Sequence, residues 1–339
     1  MQPERDFPTH ETRPAAASRC FARPDLRSIV DTDGASAYVV TAESGRAGPH
    51  VVLTALMHGN ELCGAVALCR LIEHGLTPSR GCLSLAFANV EAYRSFDPER
   101  PFASRYLDED LNRLWSKEIL DLPSRSREHA RAKALRPLVS SADALLDLHS
   151  TSGDSAPMIL CGRTRRGLRL ARDLGLTAEI VRDDGHAKGP RLIDFDGFAS
   201  DDRPQVALLV ECGQHFDPSS AEVALEATIR FLLAVGCIEA TPAWTVLPSR
   251  ATPAHFLEVT HPVTIESDGF VFVRPLRSLE RIARAGTLIA YDGGRPITTP
   301  YDDCVAVMPS LAPARGETAV RLARVMRFSA QPGAPACQC

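Results

Sequence analysis

His58 and Glu61 stand three residues apart in Met57-His58-Gly59-Asn60-Glu61. An imidazole and a carboxylate at that spacing, where a chain enters a helix, can face one point. Together they can fill two positions around Zn²⁺. The pattern alone is common, and a second copy, His255-Phe256-Leu257-Glu258, lies where no strand-to-helix switch occurs and reads as structural. Asp147-Leu148-His149 adds a third donor. Residues i and i+2 of a strand point to one face, so His149 can complete a ligand set while Asp147 accepts from a ligand imidazole and fixes its tautomer. Two histidines and one glutamate are the donors of catalytic zinc sites that keep a position open for water. Glu211 ends the apolar run Val206-Ala207-Leu208-Leu209-Val210 and is the candidate general base. Burial would raise its pKa and a metal would lower it. The plainer alternatives are a satisfied strand-end histidine for His149 and a loop cap for Glu211.

A cationic stretch follows the first motif: Arg105-Tyr106-Leu107-Asp108-Glu109-Asp110-Leu111-Asn112-Arg113. Arginine reads a carboxylate as a planar fork, and beside a metal it can steady the oxyanion of a tetrahedral intermediate. A solvated loop of local ion pairs, each contributing little, fits these residue types equally well.

These residues need strand ends and helix starts to hold them. Tyr38–Thr41 and the continuously apolar Val51–Leu56 read as strands. Leu62, Ala65, Val66, Cys69 and Ile72 recur at helical spacing, with Gly75 as a stop. Strand patterns at 83–90, 144–149, 158–161 and 205–211 alternate with helical patterns at 126–139, 166–174 and from Asp217-Pro218 to about Gly236. The alternation predicts an α/β domain with a largely parallel sheet. In open α/β sheets, sites gather at the carboxyl ends of strands, where His58, His149 and Glu211 fall. After about Ala240 short β-type runs take over, at 270–273, 287–290 and 305–308, with a helical period only around 279–285. The chain therefore divides into a loose tail at 1–20, an α/β unit at 21–240 and a small β-rich domain at 241–339.

Composition narrows the rest. The 339 residues carry 38 Lys+Arg against 42 Asp+Glu, a net charge of −4. That balance supplies no basic field for nucleic acid or an anionic membrane. No run approaches the ~18–20 apolar residues of a membrane span. The ten cysteines include no CxxC pair, and several sit within apolar runs, where a thiol packs as a small hydrophobe. Residues 1–20 show no apolar core of a secretory signal. The expectation is a reduced, cytoplasmic protein. Cys337-Gln338-Cys339 could hold a metal, but a frayed terminus is the plainer reading.

In order and spacing, His58-x-x-Glu61, Arg105…Asp110-Leu111-Asn112-Arg113, Asp147-Leu148-His149 and Glu211 resemble the succinylglutamate desuccinylase/aspartoacylase family, a branch of the zinc carboxypeptidase-like hydrolases. The resemblance covers about residues 45–235 and extends to the β-rich C-terminal segment. It implies a three-layer α/β/α domain with a mixed sheet, a small β-rich C-terminal domain and one zinc per chain. His58, Glu61 and His149 would be the ligands, Glu211 the base and Asp147 the support of a ligand histidine. Arg105 would polarise the scissile carbonyl, and Asn112 and Arg113 would hold a substrate carboxylate. Tyr301, in Pro300-Tyr301-Asp302-Asp303, resembles a tyrosine that the second domain sends toward the pocket in some members. The sequence departs from the family where aspartoacylases carry an arginine and a tyrosine before the catalytic glutamate: no such pair aligns within 183–198. His215 could reach the pocket or cap a loop. The implied activity is amide hydrolysis of a small carboxylate-bearing N-acyl amino acid. A carboxypeptidase-type peptidase with an open groove, or a non-catalytic zinc-binding protein with an enclosed fourth ligand, are the alternatives. Neither a nucleic-acid nor a membrane partner is expected, and a homo-oligomer is left open.

Overall fold

The computed structural model describes residues 23–29, 37–185, 188–241 and 247–328. The strands are β1 (Val39–Glu43), β2 (His50–Ala55), β3 (Cys82–Phe87), β4 (Ala144–Thr151), β5 (Met158–Leu160), β6 (Glu179–Arg182) and β7 (Val206–Gln214). In the C-terminal part they are β8 (His255–Thr264), β9 (Val271–Phe272), β10 (Glu280–Ile282), β11 (Leu288–Asp292), β12 (Arg295–Thr298), β13 (Cys304–Val307) and β14 (Thr318–Arg327). The helices are α1 (Leu62–Glu73), α2 (Val90–Arg94), α3 (Lys117–Leu120), α4 (Arg127–Ser140), α5 (Arg165–Leu174) and α6 (Ser219–Ala234). The 1–20 tail, His186 and the Cys337/Cys339 terminus lie outside the described residues.

Eleven strands form one sheet in the order β1-β3-β2-β4-β7-β5-β6-β8-β14-β13-β10. Its centre, β3-β2-β4-β7, is parallel. Antiparallel neighbours at β1 and β5 make the sheet mixed. Alternation along each central strand sorts the core into two layers. Leu53, Leu146, Leu148, Leu208 and Val210 pack with α1, α5 and α6 on one face. Val52, Leu145, Ala207 and Leu209 pack with Trp115, Leu135 and Val139 on the other. The result is three layers, α/β/α. Gly64 lets α1 approach the sheet closely, since a Cβ there would stand 2.7 Å from the Leu148 Cβ.

The β-rich C-terminal part is continuous with the sheet of the α/β unit. β8 pairs in parallel with β6 through Val181↔Leu257 and Arg182↔Glu258, and β14 and β13 extend the same sheet. The cause is local: Phe256 and Leu257, on opposite faces of β8, bury into the two opposing cores. A separate three-stranded sheet, β12-β11-β9, covers a third small core. The helical period around 279–285 does not form a helix. Glu280–Ile282 is strand β10, entered through Leu279 at φ +64° and paired with β13. None of the described helices is long and apolar enough to cross a membrane.

Candidate active site

β2 ends at Ala55, and Leu56 turns the chain with φ +57°, a left-handed conformation rare for a buried leucine. The turn presents His58, and Glu61 stands at the N-cap position of α1 with its carboxylate free of any capping bond. Gly59 makes the close approach possible. A Cβ there would lie 2.3 Å from the Ala92 carbonyl carbon and 2.5 Å from the Ser104 oxygen. Its N–H instead donates to the Arg105 carbonyl at 3.0 Å, binding the two motifs together.

Asp147 and His149 leave β4 on the same face as Leu145, and Glu211 leaves β7 on the face of Ala207 and Leu209. Strand alternation thus sends all three toward the layer that contains the 105–113 loop. His58 Nδ1 lies 2.7 Å from Glu61 Oε1, and His149 Nδ1 lies 2.8 Å from Glu61 Oε2. The three side chains are buried, and their donor atoms lie within 4.8 Å of one another. The outward nitrogens are held as well: His149 Nε2 by Asp147 at 2.7 Å and His58 Nε2 by Asp110 at 3.0 Å. Asp147 in turn accepts from Thr54 at 2.6 Å. Two imidazole nitrogens and one carboxylate, each imidazole backed by a second carboxylate, are a fitting donor set for zinc with room for a further ligand.

Burial pushes the Glu61 carboxyl upward, but the imidazoles of His58 and His149 outweigh it and hold it well below its usual range. Burial acts against the charged form of His149, yet Asp147 and Glu61 raise it well above the ordinary imidazole value. Glu211 differs. Burial dominates and pushes its carboxyl up to about 8, and its Oε2 is buried with no hydrogen-bond partner. An orphaned, desolvated carboxylate facing the donors is poised to take up a proton.

The 105–113 loop is pinned by Glu128, a fully buried residue in the first turn of α4. Glu128 accepts the backbone N–H of Leu107 at 2.7 Å, of Asp108 at 3.1 Å and of Glu109 at 3.3 Å. Arg105 then reaches His58: its Nη2 lies 2.8 Å from His58 Nε2 and 3.1 Å from Asp110. Asp110 caps a short turn by accepting the Asn112 N–H at 2.8 Å. Asn112 Oδ1 accepts from the Leu192 N–H at 2.8 Å, and its Nδ2 stands 3.5 Å from His149 Nε2.

Several of these groups line a cavity of about 780 Å³. Its walls include His58, Glu61, His149, Glu211, Arg105 and Arg113, faced by Leu276, Ser278, Met308 and Arg321 of the C-terminal part. Tyr301 is not brought to it. The tyrosine packs with the third core, its hydroxyl 2.6 Å from Thr260 and its ring under Arg324. Alternation explains this: Leu322 and Arg324 share one face of β14, and Tyr301 sits there, opposite the cavity. His215 is a brace behind the site, with Nδ1 2.8 Å from Ser150 Oγ and Nε2 3.2 Å from Ser152 Oγ. Burial pushes its pKa down to about 4, so it stays neutral. The other His-x-x-Glu pair is peripheral: His255 lies 3.5 Å from Glu179, and Glu258 lies 3.5 Å from Arg182.

The sequence reading gave no role to Asp110, Glu128, Arg191 or Arg321. Asp110 lay inside a quoted motif, and only its contact with His58 reveals its use. Arg191 is buried with both carboxylates of its neighbourhood, 2.7 Å from Asp183 and 2.8 Å from Asp194.

Residues 47–232 match the family model of the succinylglutamate desuccinylase/aspartoacylase catalytic domain. The chain belongs to the succinylglutamate desuccinylase/aspartoacylase family. Among curated relatives of this family, the succinylglutamate desuccinylase of Paraburkholderia xenovorans is 39% identical over 88 residues, 25% of this chain and 23% of that protein. That of Burkholderia orbicola is 33% identical over 112 residues, 32% of this chain and 30% of that protein. The matches thus span less than a third of either relative. The solved structure of a succinylglutamate desuccinylase from Vibrio parahaemolyticus superposes with a TM-score of 0.62 at 18% identity, covering 85% of this chain and 86% of that one. At that identity the likeness is one of fold.

Proposed function

We propose that the chain is a zinc-dependent hydrolase that cleaves the amide bond of a small carboxylate-bearing N-acyl amino acid. The observation that carries the reading is the cavity itself. It gathers the His58/Glu61/His149 donors, the unpartnered Glu211 and the guanidiniums of Arg105 and Arg113, and loops of the C-terminal part, with Arg321 of β14, wall it. That wall favours a compact substrate over the extended chain a peptidase groove admits. The family membership supports the same reading.

His58, Glu61 and His149 would hold the metal. When bound, zinc supplies a Lewis acid that polarises an acyl carbonyl and lowers the pKa of water toward ~7. Asp110 and Asp147 orient the two imidazoles by their Nε2 atoms. Glu211 Oε2 accepts the proton of the attacking water and returns it to the leaving amine. Arg105, beside His58 and Glu61, steadies the developing oxyanion. Arg113, with Asn112 fixing the turn that carries it, holds a substrate carboxylate and so lowers the entropic part of the barrier.

The test is a panel of N-acetyl, N-succinyl and N-formyl amino acids, with short peptides beside them, offered to zinc-loaded protein. Release of free amino acid from the acyl series alone is expected. Cleavage of the peptides alone would install the peptidase, and no turnover with tightly held zinc would favour the non-catalytic protein.

A further inference from the structure

Among the described residues, Arg321 is a buried cation whose one carboxylate within 4 Å, Asp183, is shared with Arg191. It sits on β14, opposite Val307 of β13 and Pro262 of β8. Alternation turns it toward the face of Ala323 and Val325, which pack in the core of the catalytic layer. It therefore enters the cavity from the C-terminal side. Only 7% of the residue is exposed, and its Nε is buried without a hydrogen-bond partner. The nearest anion, Asp183, stands 3.7 Å away. Asp183 is already engaged: both its oxygens accept from Arg191, at 2.9 and 2.7 Å. Asp194 is taken by the same arginine at 2.8 Å.

Arg113, across the cavity, is in a similar state. Its Nη1 donates to the Asn112 carbonyl at 2.7 Å, and its closest carboxylate, Asp110, is 3.9 Å away. Asp110 lies nearer to His58 and Arg105, at 3.0 and 3.1 Å. Burial pulls Arg113 down to about 10 and Arg321 below its ordinary value. A buried charge without a partner is costly. Three guanidiniums, Arg113, Arg191 and Arg321, thus line the cavity, and Arg191 alone saturates Asp183 and Asp194. The surplus positive charge points into the cavity.

We infer that Arg321 is a specificity-determining residue: it receives a second substrate carboxylate, opposite the one held at Arg113. The inference rests on the deacylase reading. The second carboxylate can belong to the acyl group or to the amino acid side chain; both present the same fork to a guanidinium.

The experiment compares wild type with Arg321→Met and Arg321→Lys on N-acetylalanine (one carboxylate), N-succinylalanine (the second on the acyl side) and N-acetylglutamate (the second on the amine side). In the methionine variant, the kcat/KM ratio of one two-carboxylate substrate over N-acetylalanine should fall roughly 10- to 150-fold, through KM, as expected for losing hydrogen bonds to a charged group. The substrate whose ratio falls identifies the side. Lysine should recover part of the ratio, keeping charge without the fork. Because methionine removes a buried charge whose Nε has no hydrogen-bond partner, its thermal midpoint should hold or rise. An equal loss on all three substrates, or a lower midpoint with unchanged ratios, would overturn the inference. Succinate and N-acetylglutamate binding to Glu211→Gln protein, by calorimetry, separates the two readings. If no substrate turns over but one of these ligands binds and Arg321→Met abolishes it, the deacylase reading fails and Arg321 stands. If neither binds, Arg321 falls.

Discussion

His149 and Glu211 are register partners on the adjacent parallel strands β4 and β7. A candidate metal donor and a desolvated carboxyl group are thereby fixed side by side by sheet hydrogen bonds rather than by a loop. Both sit at the carboxyl ends of their strands, and both strands are buried on both faces. This pairing defines what each residue can do, and it sets the first expectation.

Glu211→Gln should keep the shape of the site and lose the base. Neither glutamine nor glutamate at this position is one of the three clustered donors, so zinc content by elemental analysis should match wild type. Turnover should drop about 10²- to 10⁴-fold, the usual contribution of a positioned proton acceptor. A variant with wild-type rate would remove Glu211 from the chemistry.

The same carboxyl should leave a mark on the metal-free protein. Folding raises its pKa from 4.5 to about 8, because burial penalises the charged form. Below pH 4.5 it is protonated in both states. Between pH 4.5 and 8 the unfolded chain loses the proton while the folded chain keeps it. Stability therefore falls as pH rises through that window, and the loss is complete above the folded value. The effect is on the order of a few kcal/mol for a shift of this size. His149 and His215 also titrate differently on folding, so the informative quantity is the wild-type minus Glu211→Gln difference. Denaturant midpoints measured after chelation should show that difference shrinking in favour of wild type toward pH 4.5. Adding zinc should pull the carboxyl down and flatten it.

How much of this was legible beforehand depended on the kind of signal. His58, Glu61, Asp147, His149 and Glu211 lie where strand runs end, and strand alternation alone sends the last three to one face. The 105–113 loop has no periodicity, so only its residue types could be read, and its anchor Glu128 lies in a helix well along the chain. The longest C-terminal strands, β8 and β14, show no clean apolar pattern, because Glu258, His261, Pro262, Arg321 and Arg324 interrupt them. Those interruptions hid two ten-residue strands. They also hid the fact that an arginine on the inward face of β14 is an anomaly with a use. Tyr301 was assigned by resemblance, and the side of β14 on which it packs could not be read from a turn.

Asp110 offers a test of the support behind the metal donors. Burial opposes its charge, yet His58, Arg105 and Arg113 hold its carboxyl well below the usual range. Asp110→Asn keeps an oxygen for the Asn112 N–H but removes the anion from His58 and Arg105. Zinc affinity or activity should fall about 10- to 100-fold, as for other carboxylates that orient a ligand imidazole. Competition with a chromogenic chelator measures the first directly. An unchanged affinity together with unchanged activity would reduce Asp110 to a turn cap.

Glu128 separates positioning from contact. It does not line the cavity, yet its two oxygens accept from Leu107, Asp108 and Glu109 and from the Asn89 side chain. Glu128→Ala would leave three buried or half-buried backbone N–H groups without that partner, each costing about 1–3 kcal/mol where water cannot replace it. Outer ion pairs, Arg127 with Asp108 at 2.6 Å and Arg125 with Glu109 at 2.7 Å, are exposed and restrain the loop only weakly. The loop should therefore loosen while the sheet persists. Zinc binding would survive, because His58, Glu61 and His149 are set by β2, α1 and β4. The kcat should fall together with a rise in KM, since Arg105 and Arg113 both ride on this loop. Hydrogen exchange of the 105–113 amides should speed up, while amides of β4 and β7 stay protected. Faster exchange across the whole sheet would mean that Glu128 holds the domain together rather than placing the loop.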